Sequence, residues 1–181
     1  MLMVAGTEDH AAIRAMLGKA ESVTREIAKP QNPSPLLVKD GTIQDFEVDA
    51  SSPVYHEGQR AKKVAALLTY EDQKANLDRH HKEVGKDIFV ASFKLQQAKT
   101  GEYSSFSTWC NGIPTLLPET DQVIFFEPKQ PEQNRIVARV PWNRAIEVVS
   151  DLMLDTKMFP PRYYVSKFPT PDQLKALQAP N

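Results

Sequence analysis

The spacing of apolar residues changes character at Asp87. Before that point the three- and four-residue intervals of helices dominate around one short hairpin, and just after it runs of β-branched and aromatic residues take over until helical spacing returns at Trp142. Two such regimes in one chain imply an α+β fold.

From Thr7 to Lys29 the positions Ile13, Met16, Leu17, Ala20, Val23 and Ile27 line one helical face. Glu8 and Asp9 fall in its first turn and Arg25 and Lys29 in its last, the order that the helix dipole favours, and Glu21 and Arg25 are spaced as an i,i+4 pair. Gly18 weakens this helix by roughly 1 kcal/mol relative to alanine. Pro30, Pro33 and Pro35 stop it, because proline has no N–H to donate and restricts the residue before it. Leu36-Leu37-Val38, the pair Asp40-Gly41 and the run Ile43 to Val48 read as a β-hairpin. Helical spacing returns at Ala61, Val64, Ala65 and Leu68, and again at Leu77, His81 and Val84, giving one or two helices that end at Gly85.

Beyond Asp87, four strands are expected: Ile88 to Leu95, Tyr103 to Cys110, Gln122 to Phe126 and Arg135 to Val140. Thr100-Gly101, then Asn111-Gly112 with Pro114, and the polar segment Pro128 to Asn134 separate them. In succession they predict an antiparallel meander over residues 87–140. Pro141 suits the first turn of a helix whose apolar stripe is Trp142, Ala145, Ile146, Val149, Leu152 and Met153, and this helix should lie on the sheet. Tyr163 to Val165 reads as an edge strand. Thr170-Pro171-Asp172 is an N-cap followed by proline, opening a short terminal helix that frays at Ala179 to Asn181. The organisation is a single domain over 1–181, with 1–85 and 86–181 as candidate subdomains on a shared core.

Composition narrows the function classes. Twenty-two Lys and Arg against 23 Asp and Glu leave a net charge of −1, so no global field draws the chain to nucleic acid or anionic lipid. The longest apolar runs fall far short of the ~20 residues of a membrane span. Met1 to Gly6 lacks the basic leader of a secretory signal, and one cysteine closes no intramolecular disulfide. The expectation is a cytoplasmic, soluble protein. With 181 residues, folding buries roughly 70% of the unfolded chain's surface, enough for a core without metal or crosslinks.

Chemistry-bearing motifs are sparse. Cys110, in Trp109-Cys110-Asn111-Gly112, is the one nucleophile candidate, and activation would require a base, a cation or a helix N-terminus nearby; otherwise it packs at a strand end. His80 and His81 diverge by about 100° on a helix and do not share a metal, while His10 and His56 lie remote in sequence. No metal site is expected. Glu119 with Asp121, and Asp151 with Asp155, are acid pairs whose default is loop and helix surface. The basic cluster Arg60, Lys62 and Lys63, balanced by Glu57, Glu71 and Asp72, reads as a solvated face. The seven glycines form no G-x-G-x-x-G or P-loop, and no G-x-S-x-G elbow occurs, so no cofactor is expected.

The segment Phe159-Pro160-Pro161-Arg162-Tyr163-Tyr164 is more informative. Arginine and tyrosine offer contact area and directional hydrogen bonds, and prolines hold a segment extended before any partner arrives. Arg162, Tyr163 and Tyr164 are therefore candidate partner-binding residues, against the alternative that the tyrosines cover their own sheet. The reading is a non-catalytic adaptor that contacts another protein through this segment or an exposed sheet edge. The alternative is a hydrolase or transferase using Cys110 with a distant histidine.

Overall fold

The computed structural model describes residues 2–26 and 35–179. The expected last turn of the first helix, with Ile27 and Lys29, the prolines at 30 and 33, and the final two residues lie outside the described residues. The chain forms two compact units: Met1–Thr69 with Gln97–Tyr103, and Tyr70–Gln96 with Ser104–Asn181. Among the described residues no helix is long and apolar enough to cross a membrane.

In the first unit, α1 (His10–Glu26) begins three residues later than the apolar spacing suggests. Asp9 is its cap: the carboxylate accepts from the Ala12 amide at 3.0 Å, so Glu8 and Asp9 precede the helix. β1 (Leu36–Lys39) and β2 (Thr42–Asp45) form the expected hairpin. Asp40 and Gly41 at its tip have φ of 50° and 75°, the paired positive values that let a two-residue turn follow the strands' twist. α2 (Tyr55–Val84) is one continuous helix of 30 residues, ended by Gly85 at φ 65°. It supplies its first half to this unit and its second half to the other. The first unit's core is small. Ile13 and Leu17 of α1 meet Val48, Val54 and Ala61, with Ala5, Phe46 and Tyr55 packed around them. Gly58 is required there, since a Cβ at that position would sit 2.5 Å from a Val48 methyl.

The second unit holds β3 (Phe89–Val90), β4 (Lys94–Gln97), β5 (Tyr103–Cys110), β6 (Thr115–Pro118), β7 (Gln122–Phe126), β8 (Ile136–Pro141), α3 (Trp142–Val149), β9 (Leu154–Asp155), β10 (Arg162–Val165) and α4 (Pro171–Gln178), except that Gln97 of β4 and Tyr103 of β5 are counted in the first unit. The fold is α+β as expected, but the antiparallel meander is corrected. Two mixed sheets replace it, ordered β3-β6-β10-β9 and β4-β5-β7-β8. The reason is β6. After β5, Gly112 at φ 80° turns the chain out of one sheet, β6 runs in the other, and the chain returns as β7 parallel to β5. Likewise the expected strand 88–95 breaks at Ala91–Phe93, where the chain passes from β3, parallel to β6, to β4.

Asp121 fixes the return into β7. Its carboxylate accepts from the Ser105 amide at 2.7 Å and the Ser105 hydroxyl at 2.9 Å. Trp109, Leu117, Val123, Phe125, Ala138 and Val140 build the core together with Ala145 and Val149 of α3 and Leu177 of α4. Pro141 ends β8 and caps α3 rather than lying in its first turn. α4 has the expected start: Thr170 accepts from the Gln173 amide while the Gln173 side chain accepts from the Thr170 amide, with Pro171 in the first helical position.

Candidate partner-binding surface

β10 is an interior strand, paired antiparallel with β6 on one side and with β9 on the other, and not the expected edge. Its pattern is buried at both ends, and this decides the fate of the residues singled out in the sequence. Arg162 is 0% exposed. Its Nε donates to Gln73 Oε1 at 2.6 Å, Nη1 to the carbonyls of Ala91 and Leu116 at 2.9 Å each, and Nη2 to the Tyr70 carbonyl at 3.4 Å. The guanidinium carbon lies 5.3 Å from the centroid of the Tyr70 ring, which itself stacks on Phe93 at 4.9 Å. Burial lowers the Arg162 pKa to about 10 and raises that of Tyr70 to about 12. Arg162 is thus an internal strut between α2 and the first of the sheets, and presents no surface to a partner.

Tyr163 and Tyr164 are half-buried. Tyr163 packs against Trp142 at 5.3 Å, and burial, followed by the nearby carboxylates of Glu119 and Asp155, pushes its phenol up. Tyr164 sits between Leu116 and Leu154 in the ladder. Within the segment Phe159 and Pro161 are exposed, Phe159 the more prominent at 91%.

Phe159 stands in a loop fastened on both flanks. Behind it, the Pro160 carbonyl accepts from Gln73 Nε2 and the Pro161 carbonyl from the Tyr70 hydroxyl, each at 2.8 Å. Ahead of it, Thr156 donates to the Arg162 carbonyl through both its amide, at 3.2 Å, and its hydroxyl, at 2.7 Å. The Asp155 carboxylate accepts from the Lys157 amide at 2.8 Å and pairs with its ammonium at 2.7 Å, which holds Asp155 below and Lys157 above their ordinary pKa. Arg162, buried where a partner contact was expected, instead anchors the loop that displays Phe159.

The two edges of this sheet differ. At β3, the Val90 carbonyl accepts from Lys74 Nζ at 2.7 Å, and His81 Nδ1 lies 3.0 Å from the Ile88 carbonyl, so side chains of α2 occupy that edge. At β9, Leu154 is 66% exposed and leads directly into the Phe159 loop. In sequence, Phe159 stands between Met158 and a double proline, where proline stops any regular element from continuing through it.

The remaining candidates are placed elsewhere. Cys110 is half-buried; burial and the Glu127 carboxylate both push its thiol up, away from the thiolate that nucleophilic chemistry requires. Asn111 Nδ2 donates to that same Glu127 carboxylate. His81 is buried against the Ile88 carbonyl, His80 lies beside it with ring centroids 6.3 Å apart, and the His56 ring sits against Tyr55. Among the described residues no group of three or more His, Cys, Asp or Glu is placed to hold a metal. Asp151 accepts from Gln173, and Asp155 lies on β9 rather than on a helix with it. Arg60 pairs with Glu21 and Lys62 with Glu47. Comparison with known proteins found no matching family model, no matching curated protein and no matching solved structure.

Proposed function

We propose that this chain is a protein-binding module that adds an extended segment of a partner protein to the β9 edge and takes Phe159 as its anchor. The observation that carries the reading is a phenylalanine 91% exposed on a loop whose neighbouring carbonyls are pinned by Gln73 and Tyr70. A large apolar side chain held in place before binding contributes its buried area with little ordering cost. Leu154, exposed on the adjoining edge strand, supplies a second apolar contact. Arg162 acts here as a positioning residue, and the contact residues are Leu154 and Phe159 in place of Arg162, Tyr163 and Tyr164.

Selection from a displayed library of random peptides against the intact protein tests this. Enriched peptides are expected to share an extended apolar pattern. Burying one phenylalanine is worth about 1.5–3 kcal/mol, so Phe159→Ser should weaken them roughly 10- to 100-fold with circular dichroism unchanged. Enriched peptides that bind Phe159→Ser and Leu154→Glu as tightly as the wild type would remove this surface from consideration.

A further inference from the structure

Asn111 is the only asparagine in the sequence followed by glycine. It and Gly112 are the central residues of the turn that carries the chain out of β5, closed by the Ile113 amide on the Cys110 carbonyl at 3.4 Å, with Gly112 at φ 80°. Gly112 is exposed, and among the described residues no acceptor takes its amide N–H. With no side chain beside it, a glycine amide is the least hindered backbone nucleophile that a preceding carboxamide can meet. Asn111 itself is half-buried and fastened twice. Its amide donates to the Phe126 carbonyl at 2.9 Å, and its Nδ2 donates to the Glu127 carboxylate. That second bond, followed by one from the Lys129 amide, holds the Glu127 carboxyl below its ordinary pKa, so an anion faces the Asn111 amide at neutral pH and above.

We infer that Asn111 is a site of spontaneous covalent modification, conversion of its side-chain amide to aspartate and isoaspartate, and that Glu127 sets the rate by holding that amide in place. In the reaction the Gly112 nitrogen gives its proton to a solvent base and bonds to Asn111 Cγ. The Cγ–Nδ2 bond breaks, and Nδ2 takes up a proton and leaves as ammonia. One water then opens the five-membered imide at either carbonyl, giving aspartate or isoaspartate with no change of oxidation state. Glu127 opposes this in two ways. Nδ2 cannot leave while it donates to the carboxylate, so the bond is lost on the way to the imide. The negative charge that develops on Cγ also lies beside an existing anion. The product carries a carboxylate where the donor was, and two like charges then face each other at the ends of β5 and β7.

Peptide mapping by mass spectrometry of the full chain, incubated in mildly alkaline buffer and probed for isoaspartate by methyltransferase labelling, reads the site and the rate. In urea the wild type should convert at Asn111 ahead of its other asparagines, and when folded it should convert more slowly. One hydrogen bond to a partly exposed carboxylate is worth roughly 3- to 10-fold, so folded Glu127→Ala should convert that much faster than folded wild type, and at the wild-type rate in urea. Glu127→Gln, which keeps an acceptor and loses the charge, should fall between. Asn111→Asp should exchange amide hydrogens faster at 110–113 and 126–127 with circular dichroism unchanged. An Asn111 that stays intact in urea, a folded wild type that converts as fast as the unfolded chain, or a folded Glu127→Ala no faster than wild type overturns the proposal, as does unaltered exchange in Asn111→Asp. The comparison of folded with unfolded wild type needs no variant, so it decides even where Glu127→Ala does not fold.

Discussion

The hairpin of the first unit and the Phe159 loop of the second both expose apolar side chains, but on opposite kinds of support. The hairpin carries three aliphatics on one face of two strands, and Phe46, the residue after β2, packs on a core of five buried residues. The loop shows one aromatic ring, and behind it stand an arginine making four hydrogen bonds, a stacked pair of rings and an interior strand. Apolar side chains on a two-stranded hairpin have weak support of their own. Under the proposed function the loop is a narrow contact on firm support, formed before a partner arrives, with its specificity in one anchor.

The largest effect should come from removing the support behind the loop. Arg162→Ala leaves the Ala91 carbonyl buried without its side-chain donor, leaves the Leu116 carbonyl with the Ala91 amide alone, and opens a cavity, a cost of about 3–5 kcal/mol measured by urea unfolding. Phe159→Ser should stay within about 0.5 kcal/mol of wild type, so the pair separates display from scaffold. Equal stabilities for the two variants would break the comparison.

Next is the base beneath the hairpin. Gly58→Ala gains helix propensity but drives its Cβ into Val48, and overpacking of a stiff β-branched side chain costs about 1–3 kcal/mol. The loss should appear as earlier proteolysis of the first unit, with the second unit intact.

A smaller, pH-dependent effect tests the fastening of the loop. Tyr70 ionises near 12 when folded and near 10 when unfolded, so its contribution is fully present below pH 10 and is lost as pH rises through 12. Tyr70→Phe should cost about 1 kcal/mol at neutral pH through the missing bond to the Pro161 carbonyl, and its stability should fall less steeply than that of the wild type across that window. Ultraviolet titration of the phenols together with unfolding at each pH reads both.

The smallest effect belongs to Cys110, which lies in neither region. Its raised pKa should make alkylation at pH 8 slower than that of a free thiol, and Glu127→Gln should speed it by removing one of the two causes. Faster reaction in the folded wild type than in the unfolded chain would contradict the assignment of Cys110 as packing.

Local signals made much of the fold legible. The α1 stripe, the Asp40-Gly41 turn, the alternation of β5 and the Thr170-Pro171 start of α4 are each written within a few adjacent residues. The sheet order was not, because the parallel pairing of β5 with β7 depends on where β6 goes, and β6 and β9 are only four and two residues long. Arg162 was misplaced for a related reason. Its hydrogen-bond partners lie 46 to 92 residues away, and an arginine beside tyrosines reads as surface until those partners are known. The segment 159–164 was visible as a candidate, but the burial of its second half follows from pairing with β6 and β9, which its own residues do not reveal.

Amide hydrogen exchange on the intact protein, with and without a selected peptide, addresses the Phe159 surface most directly. Added peptide should slow exchange across residues 154–159 and leave the 36–45 hairpin unchanged. Slowing confined to the hairpin, or none at 154–159 with peptide bound, would contradict it.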